Sequence, residues 1–329
     1  MGNFGFQWHI TNYCNLRCYH CYQDDFSRQD EQPLARLKKV LLKITNVLKE
    51  KRIVINFTGG EPLLYPDLFE LFNMAESIDN IYEFNLITNG LLLNEETINR
   101  LNRYKKLKEI KISLEGGDAN TNDKIRGRGV FNRVLRNVDL LKPRTQKEIV
   151  LMFTLGSYNY EHLGAMIDLA RNLGVDGVIL ERFVPWGRGS FLKEHYLKKE
   201  EWFTVIDEII KFVHLDYIPQ ELLPYKAFHI VLKDSLELKG ALCNLGEESM
   251  AVMPNGDVYP CRRFPTRIGN LLNEEFESIF FRLKILKNHL IENLKGRCRN
   301  CSLENCFGCR ALSYAVYNDF YAPDPQCFL

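Results

Sequence analysis

Cys14, Cys18 and Cys21 fall within eight residues of the run ITNYCNLRCYHCYQ. Three thiolates at this spacing can hold three irons of a [4Fe–4S] cube and leave the fourth iron without a protein ligand. Such an open iron can chelate a small molecule, which turns an electron store into a catalyst. Zinc is a second chemistry for close cysteines, with His9 or His20 as a further ligand. Disulfides are a third and are disfavoured. No apolar run follows basic residues at the N-terminus, and a chain of 329 residues does not need staples.

The other seven cysteines lie between Cys243 and Cys327, after more than 200 residues without one. Cys243 precedes Gly256 and Cys261, and the run Cys298-x2-Cys301-x4-Cys306-x2-Cys309 leads on to Cys327. Paired CxxC units also suit zinc ribbons. Four residues between the pairs are short for a ribbon, however, and Cys243, Cys261 and Cys327 would be left without a role. Cysteines gathered at both ends point to metal sites in a reducing cytoplasm.

Three polar segments stand beside the cysteines as candidate ligand contacts. In Thr58-Gly59-Gly60-Glu61-Pro62 the paired glycines let backbone approach a ligand closely, and Glu61 can accept a hydrogen bond from an ammonium group. Thr88 and Asn89 end one apolar run. Ser113 and Glu115 end the next, and they alternate with Leu114, so both project to one side. Asp123-Lys124-Ile125-Arg126-Gly127 follows, and a planar guanidinium such as that of Arg126 suits a carboxylate bidentately.

These segments sit at the ends of periodic elements. Strands are predicted at Phe6–Ile10, Ile53–Phe57, Glu83–Thr88, Glu109–Leu114, Glu148–Leu155 and Gly177–Phe183, rich in Ile, Val, Leu and Phe. Helices are predicted at Leu34–Lys51, Asp67–Ser77, Glu95–Tyr104, Val130–Leu141, Tyr160–Leu173 and Glu200–His214, where apolar residues recur at steps of three and four. Apolar strands each followed by a helix imply parallel pairing with both faces covered, hence an α/β fold. After about Asp216 the pattern breaks, and residues 217–242 read as a connector with Pro219 and Pro224. Asn255-Gly256 marks a hairpin within Met250–Pro260, Glu274–Ile291 reads as helix, and the remainder reads as loop. With 46% hydrophobic residues the chain can bury one large core or two linked ones, and no run is long enough to span a membrane. Lys+Arg at 43 and Asp+Glu at 42 nearly cancel, so neither nucleic acid nor an anionic membrane is an expected partner.

Cys14-Asn15-Leu16-Arg17-Cys18-x2-Cys21, Gly59-Gly60-Glu61-Pro62, Ser113-Leu114-Glu115-Gly116 and Asp123-x-Ile125-Arg126-Gly127 together resemble the radical S-adenosylmethionine (SAM) enzymes. Arg182-x-Val184-Pro185-x-Gly187-Arg188 resembles a further segment at the rim of that family's barrel. The later cysteines resemble its SPASM extension, with the last two intervals of the quartet each one residue tighter. The resemblance implies a partial (β/α)6 TIM-like barrel over residues 1–216 and a small, loop-rich SPASM domain over 243–329. It implies a SAM cluster on Cys14, Cys18 and Cys21, with SAM held by Gly59, Gly60, Glu61, Thr88, Asn89, Ser113, Glu115 and Arg126. Glu115 stands where the family usually has Asp, one methylene longer. Two auxiliary clusters are implied, one on Cys243, Cys261 and Cys309 and one on Cys298, Cys301, Cys306 and Cys327. Three [4Fe–4S] clusters then use all ten cysteines, and no cysteine is left to return a hydrogen atom to a substrate radical.

By the same resemblance the activity is reductive cleavage of SAM to a 5′-deoxyadenosyl radical. That radical takes a hydrogen atom from a peptide or protein side chain, giving oxidation or a cross-link. A haem- or quinone-type cofactor precursor is the alternative substrate, and a non-catalytic iron–sulfur carrier or a zinc protein is the alternative of another class. A ferredoxin or flavodoxin is the expected reductant. With few residues before the first strand, a peptide is expected to need a separate recognition protein or to bind the SPASM face. Sulfatase-maturing members carry an Asp directly after the cysteine that matches Cys261. Here Arg262 and Arg263 follow, and a guanidinium is no base at neutral pH. Formylglycine formation is therefore disfavoured, and the two arginines are candidates to meet an acidic substrate. Trp186 is expected either to stack on substrate or to pack against the C-terminal domain.

Overall fold

The computed structural model describes residues 2–234, 236–246 and 248–329. Six strands and their following helices come first: β1 (Asn3–His9), α1 (Leu34–Val47), β2 (Arg52–Thr58), α2 (Leu68–Ser77), β3 (Ile81–Thr88), α3 (Glu95–Leu101), β4 (Leu107–Ser113), α4 (Ala119–Arg126), α5 (Val130–Leu141), β5 (Glu148–Leu155), α6 (Leu163–Leu173), β6 (Gly177–Arg182) and α7 (Lys199–Val213). β1 to β6 pair in sequence order, all parallel. Their side chains explain why. In β5, six of eight residues are fully or nearly buried as a run, Ile149 to Phe153 and Leu155, as a strand covered on both faces requires. In α5, Val130, Phe131, Val134, Val138 and Leu141 make one buried stripe.

The six-strand run is extended at both edges. On the β6 side, β7 (Tyr225–Val231) and β8 (Glu237–Leu242) form an antiparallel hairpin that continues the sheet. The residues expected to act as a connector therefore include two strands of the sheet. On the β1 side, β9 (Ser249–Val252) pairs parallel with β1, and β10 (Asp257–Tyr259) and β11 (Gly269–Asn270) follow antiparallel. Gly256, with φ of 82°, closes the expected turn between β9 and β10. α8 (Phe276–Glu292) packs beside α1, and α9 (Arg310–Tyr317) lies within the stretch expected to be loop. The two halves of the chain thus share one eleven-stranded sheet.

That sheet is curled. The N–H groups of Arg188 and Gly189, beyond β6, donate to Gln23 and Cys21 carbonyls beyond β1, at 3.2 and 2.7 Å. In a flat sheet β1 and β6 would be five spacings apart, roughly 24 Å. The curl gives the partial barrel implied by the resemblance, with β8 and β11 as the edges of the sheet. No helix among the described residues is long and apolar enough to cross a membrane.

An aromatic seam holds the sheet to the helices outside it. The fully buried Phe57 ring stacks on Trp8 at 5.6 Å and meets Phe72 at 4.9 Å and Phe84 at 5.8 Å. Phe57→Ala removes the ring from the centre of this seam. It is expected to lower stability by about 3–5 kcal/mol. A drop of under about 1 kcal/mol in urea denaturation of the metal-free chain would show that the seam does not hold the fold.

Candidate active site

The cysteine loop after β1 has no regular structure, so its shape depends on bonds to its neighbours. Its entry is stitched to the turn after β2: Gly60 N–H donates to Thr11 O and Glu61 N–H to Tyr13 O, each at 2.8 Å. A Cβ at Gly59 would lie 2.3 Å from Thr11 O, and one at Gly60 would lie 2.3 Å from Tyr13 O, so the contact admits only glycines. Its middle is tied to the end of α4, where Tyr19 N–H donates to Ile125 O at 3.0 Å. Its exit is held by Gly189 beyond β6. Within the loop, Arg17 Nη1 donates to the carbonyls of Cys14 and Leu16 at 2.7 and 2.8 Å.

Cys14, Cys18 and Cys21 line one cavity of about 910 Å³, partly open to solvent, at the C-terminal ends of the barrel strands. Gly59, Gly60, Thr88, Asn89, Ser113, Glu115 and Arg126 line it too, so seven of the eight candidate SAM contacts are gathered with the thiols. Glu61 is the exception. It is fully buried behind the wall and accepts bonds from Thr88 Oγ1 at 2.8 Å, Asn89 N–H at 2.8 Å and Leu63 N–H at 3.1 Å. Through these bonds its carboxylate joins the β2 turn to the end of β3. Burial pushes its carboxyl up to about 6 despite these donors. Asn89 in turn donates through Nδ2 to Asn15 Oδ1 at 2.7 Å, returning the connection to the cysteine loop.

Glu115 is also fully buried, yet it lines the cavity. Burial alone would raise its carboxyl. His20 at 3.1 Å, Arg126 at 3.2 Å and the Thr154 N–H at 2.9 Å more than offset that and hold it below its ordinary value. Arg126 ends α4 and is buried. Its Nε has no partner, and neither has His20 Nδ1. Burial pushes the thiols up, Cys14 to about 11, Cys21 to about 12, and Cys18 as well. A bound metal would draw them to thiolates.

Tyr22, Thr154 and Glu181 line the cavity without having been expected there, and His20 was expected only as a candidate zinc ligand. Glu181 has no signal in the sequence, because only the curl of the sheet brings the end of β6 to the loop after β1. Arg262 ion-pairs with Glu181 and lies over the Tyr22 ring, 5.0 Å from its centre. Arg263 donates to Arg182 O at 2.7 Å. Both arginines are thus engaged within the protein. Trp186 packs on the Tyr314 ring of α9, 6.2 Å between centres, which is the second of its two expected placements.

The remaining cysteines form two groups. Cys298, Cys301, Cys306 and Cys327 line a second cavity of about 790 Å³. Cys243, Cys261 and Cys309 pack against a small satellite core with Leu245 and Phe264. Burial pushes the Cys243 thiol up to about 12, and the neighbouring Cys309 and Cys261 add to the effect. Among the described residues no three His, Cys, Asp or Glu side chains converge as ligands of a single metal ion.

Residues 8–170 match the profile of the radical SAM superfamily, and residues 243–307 match that of SPASM, an iron–sulfur cluster-binding domain. The "Fe-coproporphyrin III synthase" of Methanosarcina barkeri is 30% identical, covering 98% of this chain and 87% of its own. The chain belongs to the radical SAM superfamily. It is an enzyme of the radical SAM type with a SPASM extension. Another M. barkeri relative, "AdoMet-dependent heme synthase", is 28% identical over 97% of this chain and 95% of its own. "Mycofactocin maturase MftC" of Mycobacterium tuberculosis is 26% identical over 97% of this chain and 81% of its own. The fold of Streptococcus suis SuiB, solved with the precursor peptide SuiA, superposes with a TM-score of 0.74 at 15% identity, covering all of this chain and 76% of that one. Family membership brings iron–sulfur clusters and SAM to this radical SAM enzyme.

Glu115→Gln tests the electrostatics of the wall. A carboxyl held below its ordinary 4.5 stabilises the fold above that pH and loses its contribution as pH falls through its folded value. The stability difference between wild type and Glu115→Gln, read by denaturant titration, is expected to be flat above about pH 5. It should shrink below pH 4.5. A difference that instead grows on acidification would contradict the pairing of Glu115 with His20 and Arg126.

Proposed function

We propose that this radical SAM enzyme generates a 5′-deoxyadenosyl radical in the barrel cavity and uses it to take a hydrogen atom from a cofactor precursor of the haem pathway type. What supports the reading is that one cavity holds the three thiols of the cysteine loop together with seven candidate SAM contacts. Bound on Cys14, Cys18 and Cys21, an iron–sulfur cluster would supply the electron that cleaves SAM. The chain's own residues would bind and orient SAM. Gly59 and Gly60 expose backbone at the cavity wall, Asn89 and Ser113 offer polar groups, and Arg126 presents a guanidinium whose Nε is unpartnered. Leu16, Phe26, Ile87, Met152 and Phe183 add apolar surface to the wall, which would help to keep water from the radical. Glu61 holds the β2 turn and β3 in place for these contacts.

The substrate class rests on the two haem-pathway synthases among the relatives, matched over nearly their whole length. A peptide side chain is the second reading, favoured by the mycofactocin maturase. Arg262 bears on both. Paired with Glu181, it offers no base beside Cys261, so formylglycine-type oxidation is not the proposed chemistry. The seats of the auxiliary clusters are proposed to be Cys243, Cys261 and Cys309, and Cys298, Cys301, Cys306 and Cys327. A ferredoxin or flavodoxin is the proposed reductant.

Anaerobically reconstituted protein is expected to carry about twelve irons per chain. With dithionite and SAM it should release 5′-deoxyadenosine, and Cys14→Ala should abolish that release while keeping roughly two-thirds of the iron. Retention of full activity in Cys14→Ala would sink the assignment. Stimulation of 5′-deoxyadenosine release by a carboxylated iron tetrapyrrole, and not by short peptides, is the expected substrate response. The reverse would favour peptide maturation.

A further inference from the structure

The cavity lined by Cys298, Cys301, Cys306 and Cys327 is also lined by Arg182 at the end of β6, Lys226 of β7 and Gln326. Arg182 is 3% exposed and Gln326 fully buried. Arg182 Nη1 is held by Gln326 Oε1 at 2.8 Å and Asp324 Oδ2 at 3.3 Å, but its Nη2 has no hydrogen-bond partner among the described residues. Gln326 uses its oxygen on Arg182, and its Nε2 has no partner either. Lys226 Nζ is fixed by Leu223 O at 2.9 Å and stands 3.5 Å from Cys306 Sγ. Two buried nitrogens with unspent donors therefore belong to side chains lining a cavity of four thiols, beside an ammonium already on one sulfur. Buried donors are rarely left without an acceptor. Asp324, which already accepts from Arg182 Nη1, Asn300 and Ser302 line the cavity too, and the acceptors a bound cluster would add are the sulfurs of the thiolates and of the group they hold.

We propose that Lys226, Arg182 and Gln326 form a donor cradle that hydrogen-bonds the sulfurs of a four-thiolate iron–sulfur cluster in this cavity and stabilises its reduced state. The proposal rests on the auxiliary-cluster reading above. Reduction adds one electron to an assembly that is already anionic. Donors and cations at its sulfurs favour that state and raise its potential. Lys226 and Arg182 come from the two strands that join the barrel to its hairpin, so the barrel itself sets the electron affinity of the C-terminal cluster. They are positioning residues and touch no substrate.

The test is an EPR-monitored redox titration of the full-length reconstituted protein with dithionite as the electron donor. Cys306→Ser identifies the step belonging to this cavity. Lys226→Met and Gln326→Leu are each expected to shift that step about tenfold toward the oxidised form, roughly 59 mV for one electron. The other steps should be unmoved, and Lys226→Arg should restore the wild-type value. Unchanged potentials in both variants with the cluster present overturn the cradle and leave the auxiliary-cluster reading standing. No cluster signal sensitive to Cys306→Ser overturns both. Loss of that cluster's iron in both variants with the fold intact shows a structural seat, and it too overturns the cradle.

Discussion

The structure depends on two short backbone contacts, from Gly60 and Glu61 N–H to the Thr11 and Tyr13 carbonyls. An irregular loop that must present three thiols cannot draw its shape from a helix or a ladder. It must borrow shape from a neighbour, and here the neighbour is another irregular turn. Two such backbones meet at hydrogen-bond distance only if one carries no side chains, which is why the glycines come as a pair. Glu61 carries the constraint onward to Thr88 and Asn89, and Asn89 closes the circuit on Asn15. A buried carboxylate with this many donors is expensive to break, because each donor would lose its partner in a place without water. The rigidity of the loop is thus held by a ring of bonds that begins and ends within it.

A second ring completes the mouth of the barrel. Glu115 at the end of β4 gathers His20 from the cysteine loop, Arg126 from α4 and the backbone of β5. Such a group is stable as a set and costly when split, since removing one charge leaves another buried alone. The longer side chain at this position, one methylene beyond the Asp usual in the family, lets a single carboxylate reach all three. The loop after β6 then closes on the exit of the cysteine loop through Gly189. Every strand from β2 to β6, with the loop after β1, thus contributes to one cavity, and the curl of the sheet and the shape of the site are a single fact.

Much of this was legible from local pattern. Apolar strands alternating with amphipathic helices specify a parallel sheet because no other pairing covers both faces. The motifs sit where strands end because only there does backbone turn toward the cavity. What could not be read is non-local. The hairpin of β7 and β8 carries prolines nearby and weak alternation, and it is strand because β6 offers a free edge. Short helix α4 has too few apolar residues to show a period, yet its Asp118 cap and the buried Arg126 define it. Glu61 reads as a ligand contact from its neighbours, while its burial follows from the approach of β3. Arg262 reads as free for an acidic substrate, and only the curl reveals Glu181 as its partner.

The two halves of the molecule meet at consecutive residues of one strand. Successive side chains of a strand project to opposite faces. At the end of β6, Glu181 lines the barrel cavity with Arg262 while Arg182 lines the cavity of Cys298, Cys301, Cys306 and Cys327. The two residues after Cys261 grip this strand end from the C-terminal side, Arg262 through Glu181 and Arg263 through the Arg182 carbonyl. Three cysteine groups are thereby placed about one rigid element. Its shift would disturb the barrel wall, the Cys261 group and the thiol cavity together. Such coupling fixes the separations between the barrel cavity and the two C-terminal groups of cysteines. The C-terminal extension is accordingly built into the sheet at both edges, through β7 and β8 on one side and β9 on the other, and does not hang from the barrel by a tether.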